Sequence, residues 1–490
     1  MSTSGRWALV AILLACAALG LLYAAYTPAW QVPDEPAHYN YIRGLVERGA
    51  LPVMEPGDYD QAYLERLTAG RFPPDLSIAP LTYEDHQPPL YYLLAAPLYR
   101  LFDGALLPLR LFSVGLGLLL LVVTCRLVRT LFPDRPFLAL ATVALIAFLP
   151  QHLAMTAGVE NDGLAELLLA AVLWVTVRMT TDESRGLARR DSLILGLLLG
   201  CSLLTKTTAY VGLPVALAGL ALRGWRERRG GGSARPAVVG AGLALLVALL
   251  LAGPWLARNV AVYGWQDPLG LARHAQVVIG QPRTADWLAR YGWVRLTGRF
   301  LRTTFNSFWG QFGWMGVPLH EPFYAALGLF SALLAAGFLG WRFDRRRPRL
   351  SPAQADGLRL LALSALLTTA TYVWYNLTFV QHQGRYLFPA LVPLALGAAL
   401  GLDWLLSPPV ARWAAGGLMG AAALLVVWGL ARGDLPLLPL FTAGGLAALC
   451  GLAAWRPGAG RWLALALLAC ALVALDLYAL FGAIVPTLAG

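Results

Sequence analysis

Residues 88–102 read PPLYYLLAAPLYRLF. Hydropathy alone admits them as a membrane span. They are short for one, contain Pro97 and are rich in Tyr, which prefers the membrane–water interface. Parity separates the two readings. The next apolar run, about 107–131, ends in Arg126, Arg129 and Arg135, and short arginine-rich loops belong on the cytoplasmic side. If 88–102 crossed, those arginines would lie outside. The stretch is therefore expected to lie flat on the outer surface as an amphipathic helix.

The composition around it points the same way. The chain has 490 residues, of which 58% are hydrophobic and 13% charged. Its mean hydropathy is +0.61. Soluble proteins carry about a quarter charged residues. The shortage, with many apolar runs near span length, implies an all-α polytopic membrane protein. The net charge of +11 comes from arginines in short loops, so it reports topology, and nothing favours nucleic acid. Cys16, Cys125, Cys201, Cys450 and Cys470 all fall in apolar runs without a C-x-x-C pair. They read as small buried side chains, not as a zinc site or disulfide framework.

Read in order, the first span covers about 7–26. It could pass for a signal peptide, but its long core and the acidic motif just after it favour an uncleaved helix. An acid-rich outer segment, 28–106, follows. The third span, about 137–153, goes out to Glu160, Asn161 and Asp162, and the fourth returns to Arg178, Arg185, Arg189 and Arg190. A hairpin, about 193–222, carries Lys206 at its outer tip. The seventh span ends outside at Arg258. A second outer segment, to about 322, interleaves Trp, Tyr and Phe with Arg, which suits helices at headgroup level, covering a cavity that receives an anionic lipid. Six more spans follow, with Arg385 at an outer end. The expectation is about 13 spans, the N-terminus inside and the C-terminus outside. Three parts are expected: a catalytic module 1–256, an outer loop 257–322 and C-terminal helices 323–490.

The polar residues at the outer ends gather on one side. Pro33-Asp34-Glu35-Pro36-Ala37-His38 leaves the first span with two adjacent carboxylates, costly at a bilayer boundary without a partner or a task. Asp34 can cap a helix that Pro36 begins, with His38 one turn on. The pair can take a proton or hold a divalent cation; the plainer reading is an ordinary helix start. Asp85, Glu160 and Asp162 add acid. Lys206, Arg258 and Arg385 add cations, and His38, His86 and His382 add imidazole. Fixed cations and a base at a bilayer rim fit a reaction on a lipid phosphate. Each has a duller alternative: Lys206 snorkelling, Arg258 and Arg385 anchoring headgroups, Asn161-Asp162 capping a span, His86 and His382 packing. Asn376-Leu377-Thr378 matches a glycosylation acceptor but lies close to the membrane.

PDEPAHYNYIRGLVERG, HQPPLYYLLAAPLYRLF, LVRTLFP, Glu160-Asn161-Asp162 and LLTKTTAYVGLP, in that order, resemble the GT-C glycosyltransferase superfamily. The nearest branch is that of protein O-mannosyltransferases and aminoarabinose transferases. The resemblance covers roughly the first 260 residues. FGWMGVPL and QGRYLFPALVPLAL further on are more similar to bacterial membrane families of undefined activity. The resemblance implies a GT-C fold with juxtamembrane helices on the outer face, and a polyprenyl-phosphate-linked sugar donor. It implies that Asp34 is the catalytic base, and it matches Lys206 to a phosphate-binding lysine. Gln87 stands where the aminoarabinose branch has Lys, so one phosphate contact is either missing or moved, to His86, Arg258 or Arg385. Some superfamily members bind a divalent metal at the acidic motif and others do not. Glu35, His38 and Asp162 are the residues that would complete such a site for Mg or Mn, with Glu160 beside them.

The reading is an inverting glycosyltransferase of the plasma (inner) membrane, acting outside on a lipid, glycan or protein acceptor. Asp34, with Glu35, carries the proton chemistry. Lys206, Arg258, Arg385 and His86 hold the donor phosphate. The alternative is a transporter or flippase of lipid-linked sugars, which would show broken helices near the midplane and pseudo-symmetric halves. A non-catalytic scaffold would leave the acids and Lys206 unexplained.

Overall fold

The computed structural model describes residues 3–181 and 188–489. Arg185 of the expected arginine-rich loop lies outside the described residues. Helices dominate; the strands found are Gln311–Phe312 and Val317–Pro318, paired antiparallel. Ten described helices are long and apolar enough to cross a bilayer, or up to eleven crossings if one bent pair counts as a span. The expected 13 is not reached on that criterion. The shortfall lies in the hairpin expected near 193–222. Arg189–Leu203 has 15 residues, a length of about 22 Å. Gly212–Arg229 carries Arg226, Arg228 and Arg229 in its last turn.

The short helix is nonetheless firmly seated. Gly196 and Gly200 face Ala244 and Ala248 of helix Arg235–Tyr263, and a Cβ on Gly196 would fall 2.7 Å from the Ala244 carbonyl oxygen. Small residues four apart let the two backbones close up. Helix Pro136–Ala147 runs through the middle of the bundle and is buried on all sides. The span expected at 137–153 does not continue straight. Leu149 is extended before Pro150, and the following helix Pro150–Thr156 turns off by 67°. Proline disfavours helical backbone at the preceding residue, which accounts for the break.

Residues 88–102 form no span. The helix is Leu90–Leu101, 12 residues, or about 18 Å. It packs on helix Glu35–Arg48, where Tyr41 and Tyr92 stack with ring centroids 3.7 Å apart. The segment expected outside, 257–322, contains helices Leu271–Val277 and Thr284–Trp309, the latter broken at Gly292, where φ is 73°. Asn376 of the glycosylation pattern is buried, its side chain bonded to Tyr372 O and Gln381 N. The five cysteines are all free thiols.

Candidate active site

Helix Glu35–Arg48 starts with Pro36 in its first turn, as its sequence dictates. Asp34 precedes it but does not cap it: its side chain makes no bond to the helix N-terminus, and its φ of 67° is left-handed. Asp tolerates that conformation better than most residues, because its short side chain bonds locally. The turn sends the carboxylate outward. Tyr83 O–H donates to Asp34 Oδ1 at 3.0 Å, and Arg385 Nη2 donates to Oδ2 at 2.6 Å.

Glu35 goes the other way. It is fully buried, and Arg110 grips it through Nε to Oε1 and Nη2 to Oε2, both at 2.7 Å. Trp30 N and Val159 N donate to the same carboxylate at 3.0 and 3.1 Å. With four donors met, Glu35 has no acceptor capacity left facing the cluster. The two adjacent acids thus do different work: one ties the start of helix Glu35–Arg48 to helix Leu106–Leu131, the other faces the cluster.

Arg385 also reaches Glu160, Nη1 to Oε1 at 3.3 Å. Lys206 Nζ lies 2.6 Å from Asp162 Oδ1. Lys206 sits on extended backbone after the short helix Arg189–Leu203 and is 13% exposed. Asn161 ties the two loops, donating to Thr205 O at 3.2 Å. His38 Nδ1 pairs with Tyr92 O–H at 2.8 Å. Arg385 is held from below: Gly384 N donates to Ser307 Oγ at 2.7 Å, and a Cβ on Gly384 would fall 2.4 Å from Phe308 N. Only glycine permits that approach.

The electrostatics follow from burial set against these partners. Burial pushes the Asp34 carboxyl up, but the charge and hydrogen bond of Arg385, with His38 and the Tyr83 hydroxyl, outweigh it and hold it below its usual value. Its side chain stays 24% exposed, so a substrate can reach it. Burial, then the charge of Asp34, pushes Glu84 up to about 7. Burial, then Asp162, holds Glu160 well above the usual carboxylate range. Burial, then Lys206, lowers His38 to about 3, leaving a neutral ring that bonds Tyr92. The cluster thus presents Asp34 and Asp162 as anions against Lys206 and Arg385 as cations.

Two expected members, Arg258 and His382, lie elsewhere, while His86 borders the cluster with Nδ1 3.3 Å from Tyr83 O. Arg258 turns to the carbonyls of Leu51 and Pro52 and stacks near Trp255 and Tyr263. His86 packs against His274, ring centroids 4.3 Å apart, and burial followed by that neighbour holds it uncharged. His382 sits edge-on to Trp287 and Phe300. Asp85 is buried, with Oδ1 unpartnered, and burial followed by Asp58 pushes it up to about 8. Tyr83, Glu84 and Tyr92 join the cluster unforeseen. Arg110 could have been found: an arginine one turn inside an apolar run needs a buried acid. The site also crosses the expected division at residue 256, since Arg385 comes from the C-terminal part.

A divalent cation does not fit the residues as they stand. Asp34 is turned to Arg385, Asp162 to Lys206 and Glu35 to Arg110. Among the described residues no three His, Cys, Asp or Glu side chains are grouped to hold an ion.

A family model described as a predicted membrane protein, DUF2142, matches residues 78–394. No curated protein matches the sequence. Among solved structures, the chain is similar to ArnT from Cupriavidus metallidurans bound to undecaprenyl phosphate, with 18% identity and a TM-score of 0.53 over 100% of this chain and 77% of that one. The apo state of the same protein gives 17% identity and a TM-score of 0.55 over 98% and 77%. An oligosaccharyltransferase from Archaeoglobus fulgidus is similar at 14% identity and a TM-score of 0.44, over 94% of this chain and 55% of that one. The likeness to ArnT shows that the fold is the GT-C fold.

Proposed function

As a chain that belongs to the DUF2142 family of membrane proteins, this protein is, we propose, a glycosyltransferase that moves a sugar from a polyprenyl-phosphate donor to an acceptor hydroxyl outside the plasma membrane. The single observation that carries the reading is the meeting of Asp34, Arg385, Glu160, Asp162 and Lys206 in one cluster at one end of the helices. Arginine-rich loops at the opposite end support an extracytoplasmic site. ArnT binds undecaprenyl phosphate in the same fold, which supports a lipid phosphate as the donor's leaving group.

The reaction is a single inverting displacement. The acceptor hydroxyl oxygen bonds to the anomeric carbon as the bond from that carbon to the phosphate oxygen breaks. Asp34 takes the hydroxyl proton. The electron pair leaves on polyprenyl phosphate, whose charge Lys206 and Arg385 stabilise. Phosphate leaves readily, so no strong acid is needed. Without donor, Arg385 keeps Asp34 ionised but weakly basic. A phosphate competes for that guanidinium, and as Arg385 turns to it, burial raises the basicity of Asp34. The base strengthens when the donor is seated. Glu35 positions Asp34 through Arg110 without touching substrate.

The test is to incubate purified full-length protein with a panel of radiolabelled polyprenyl-phosphate sugars, with and without chelator. Release of polyprenyl phosphate from one donor is expected, and the chelator arm reads any need for Mg or Mn. No release from any donor, with acceptors of all three classes present, overturns the reading.

A further inference from the structure

A cavity of about 820 Å³ opens between helices Glu321–Phe343, Pro352–Asn376 and Leu391–Leu405. Aliphatic and aromatic side chains line it from Phe308 and Trp309 at one end to Arg342 and Arg359 at the other. There it joins a second cavity of about 930 Å³, the two sharing Trp341, Arg347 and Leu350. The second is apolar over most of its wall but carries Arg135, Arg346, Arg347 and Arg349 against Asp344 and Asp403. Asp403 is taken by Arg135 and Arg461. Asp344 accepts from Trp404 Nε1 at 2.9 Å and Arg346 N at 2.8 Å.

The balance is a surplus of cation. The side chains of Arg346, Arg347 and Arg349 form no ion pair among the described residues. Arg347 lies over the Trp341 ring, 4.4 Å from its centroid, and its Nη1 is shut off from solvent with no hydrogen-bond partner. Nη1 is closed to a ligand in this arrangement, but Arg347 lines both cavities, and a phosphate oxygen is the acceptor a guanidinium suits. A bowl of this volume is larger than a bare phosphate requires, and an apolar slot opens directly from it. Helix Leu391–Leu405 begins just after Arg385 and ends beside Asp403 at this bowl. The bowl is therefore at the opposite end of the bundle from Asp34, away from the donor phosphate.

We propose that the joined cavity binds an anionic glycerophospholipid, its phosphate on Arg347 and an acyl chain in the groove between Glu321–Phe343 and Pro352–Asn376. The excess of arginine selects an anionic headgroup over a zwitterionic one, and the uninterrupted apolar wall takes the chain.

Native mass spectrometry of the delipidated full-length protein tests this, with phosphatidylglycerol, phosphatidylcholine and undecaprenyl phosphate offered separately. Phosphatidylglycerol is expected to be retained over phosphatidylcholine. Its retention should fall about ten-fold in Arg347→Gln, the loss of one charge-assisted contact. It should also fall in Ala362→Trp, which fills the groove, and stay unchanged in Asp34→Asn. Thermal melts select folded variants, and Ala365→Phe replaces Ala362→Trp if the latter unfolds. Equal retention of the two phospholipids overturns the proposal. So does a phosphatidylglycerol adduct that neither substitution weakens, or an undecaprenyl phosphate adduct that alone depends on Arg347 and the groove.

Discussion

Arg385 Nη2 lies 2.6 Å from Asp34 Oδ2, a contact between residues 351 positions apart. Asp34→Asn is the cleanest probe of what that carboxylate does, because Asn also accepts a left-handed backbone. Transfer should drop about 10²–10⁴-fold, the usual worth of a general base. Donor retention in equilibrium dialysis should persist. Turnover close to wild type would remove Asp34 from the chemistry.

Lys206 is paired with Asp162, 2.6 Å from its Oδ1. Lys206→Gln should weaken donor binding and slow the chemical step, since the same charge meets ground-state and departing phosphate. Lys206→Arg should restore part of both, because a cation is returned with different reach. Single-turnover kinetics over a range of donor concentrations separate the two effects; equal loss in both variants argues against a phosphate contact.

Glu84 titrates near 7 because burial and then Asp34 push it up. Below that pH its carboxyl is neutral; above it, a negative charge stands beside the incoming phosphate. Donor affinity should therefore fall as pH rises from about 6 to about 8. Glu84→Gln should flatten that limb of the KM profile. An unchanged limb in this variant would assign the effect to another group.

The Glu35–Arg110 pair is buried on both sides, 0% and 3% exposed. Removing one partner strands the other's charge, at a cost of about 3–5 kcal/mol. Glu35→Gln and Arg110→Met should each lower the thermal midpoint of the purified protein, while the folded fraction still transfers sugar. Loss of activity at full stability would instead place Glu35 in the reaction.

Much of this arrangement is legible in the amino-acid order. The arginines after residue 125 argue against a crossing at 88–102, and the helix there, Leu90–Leu101, has only 12 residues. Intramembrane economy likewise picks out Lys206 and Arg385, because a cation at a span's end needs a partner. What sequence cannot separate is Asp34 from Glu35. They are neighbours, and only the left-handed turn at Asp34 sends one to the cluster and the other to Arg110. Arg258 is illegible for a similar reason: its helix runs on to Tyr263, which carries the guanidinium to the carbonyls of Leu51 and Pro52. The break before Pro150 was written in the proline, but its 67° angle depends on what packs around it.

Gly384 leaves no room for even a methyl against the backbone of Thr304 and Phe308. The guanidinium beside it is therefore hung from an outer arm, Thr284–Trp309, that supplies none of the reacting groups. Wherever that arm settles, the distance from cation to carboxylate settles with it. Tuning of such an enzyme, by selection or by an acceptor docking from outside, need never touch the acids at all.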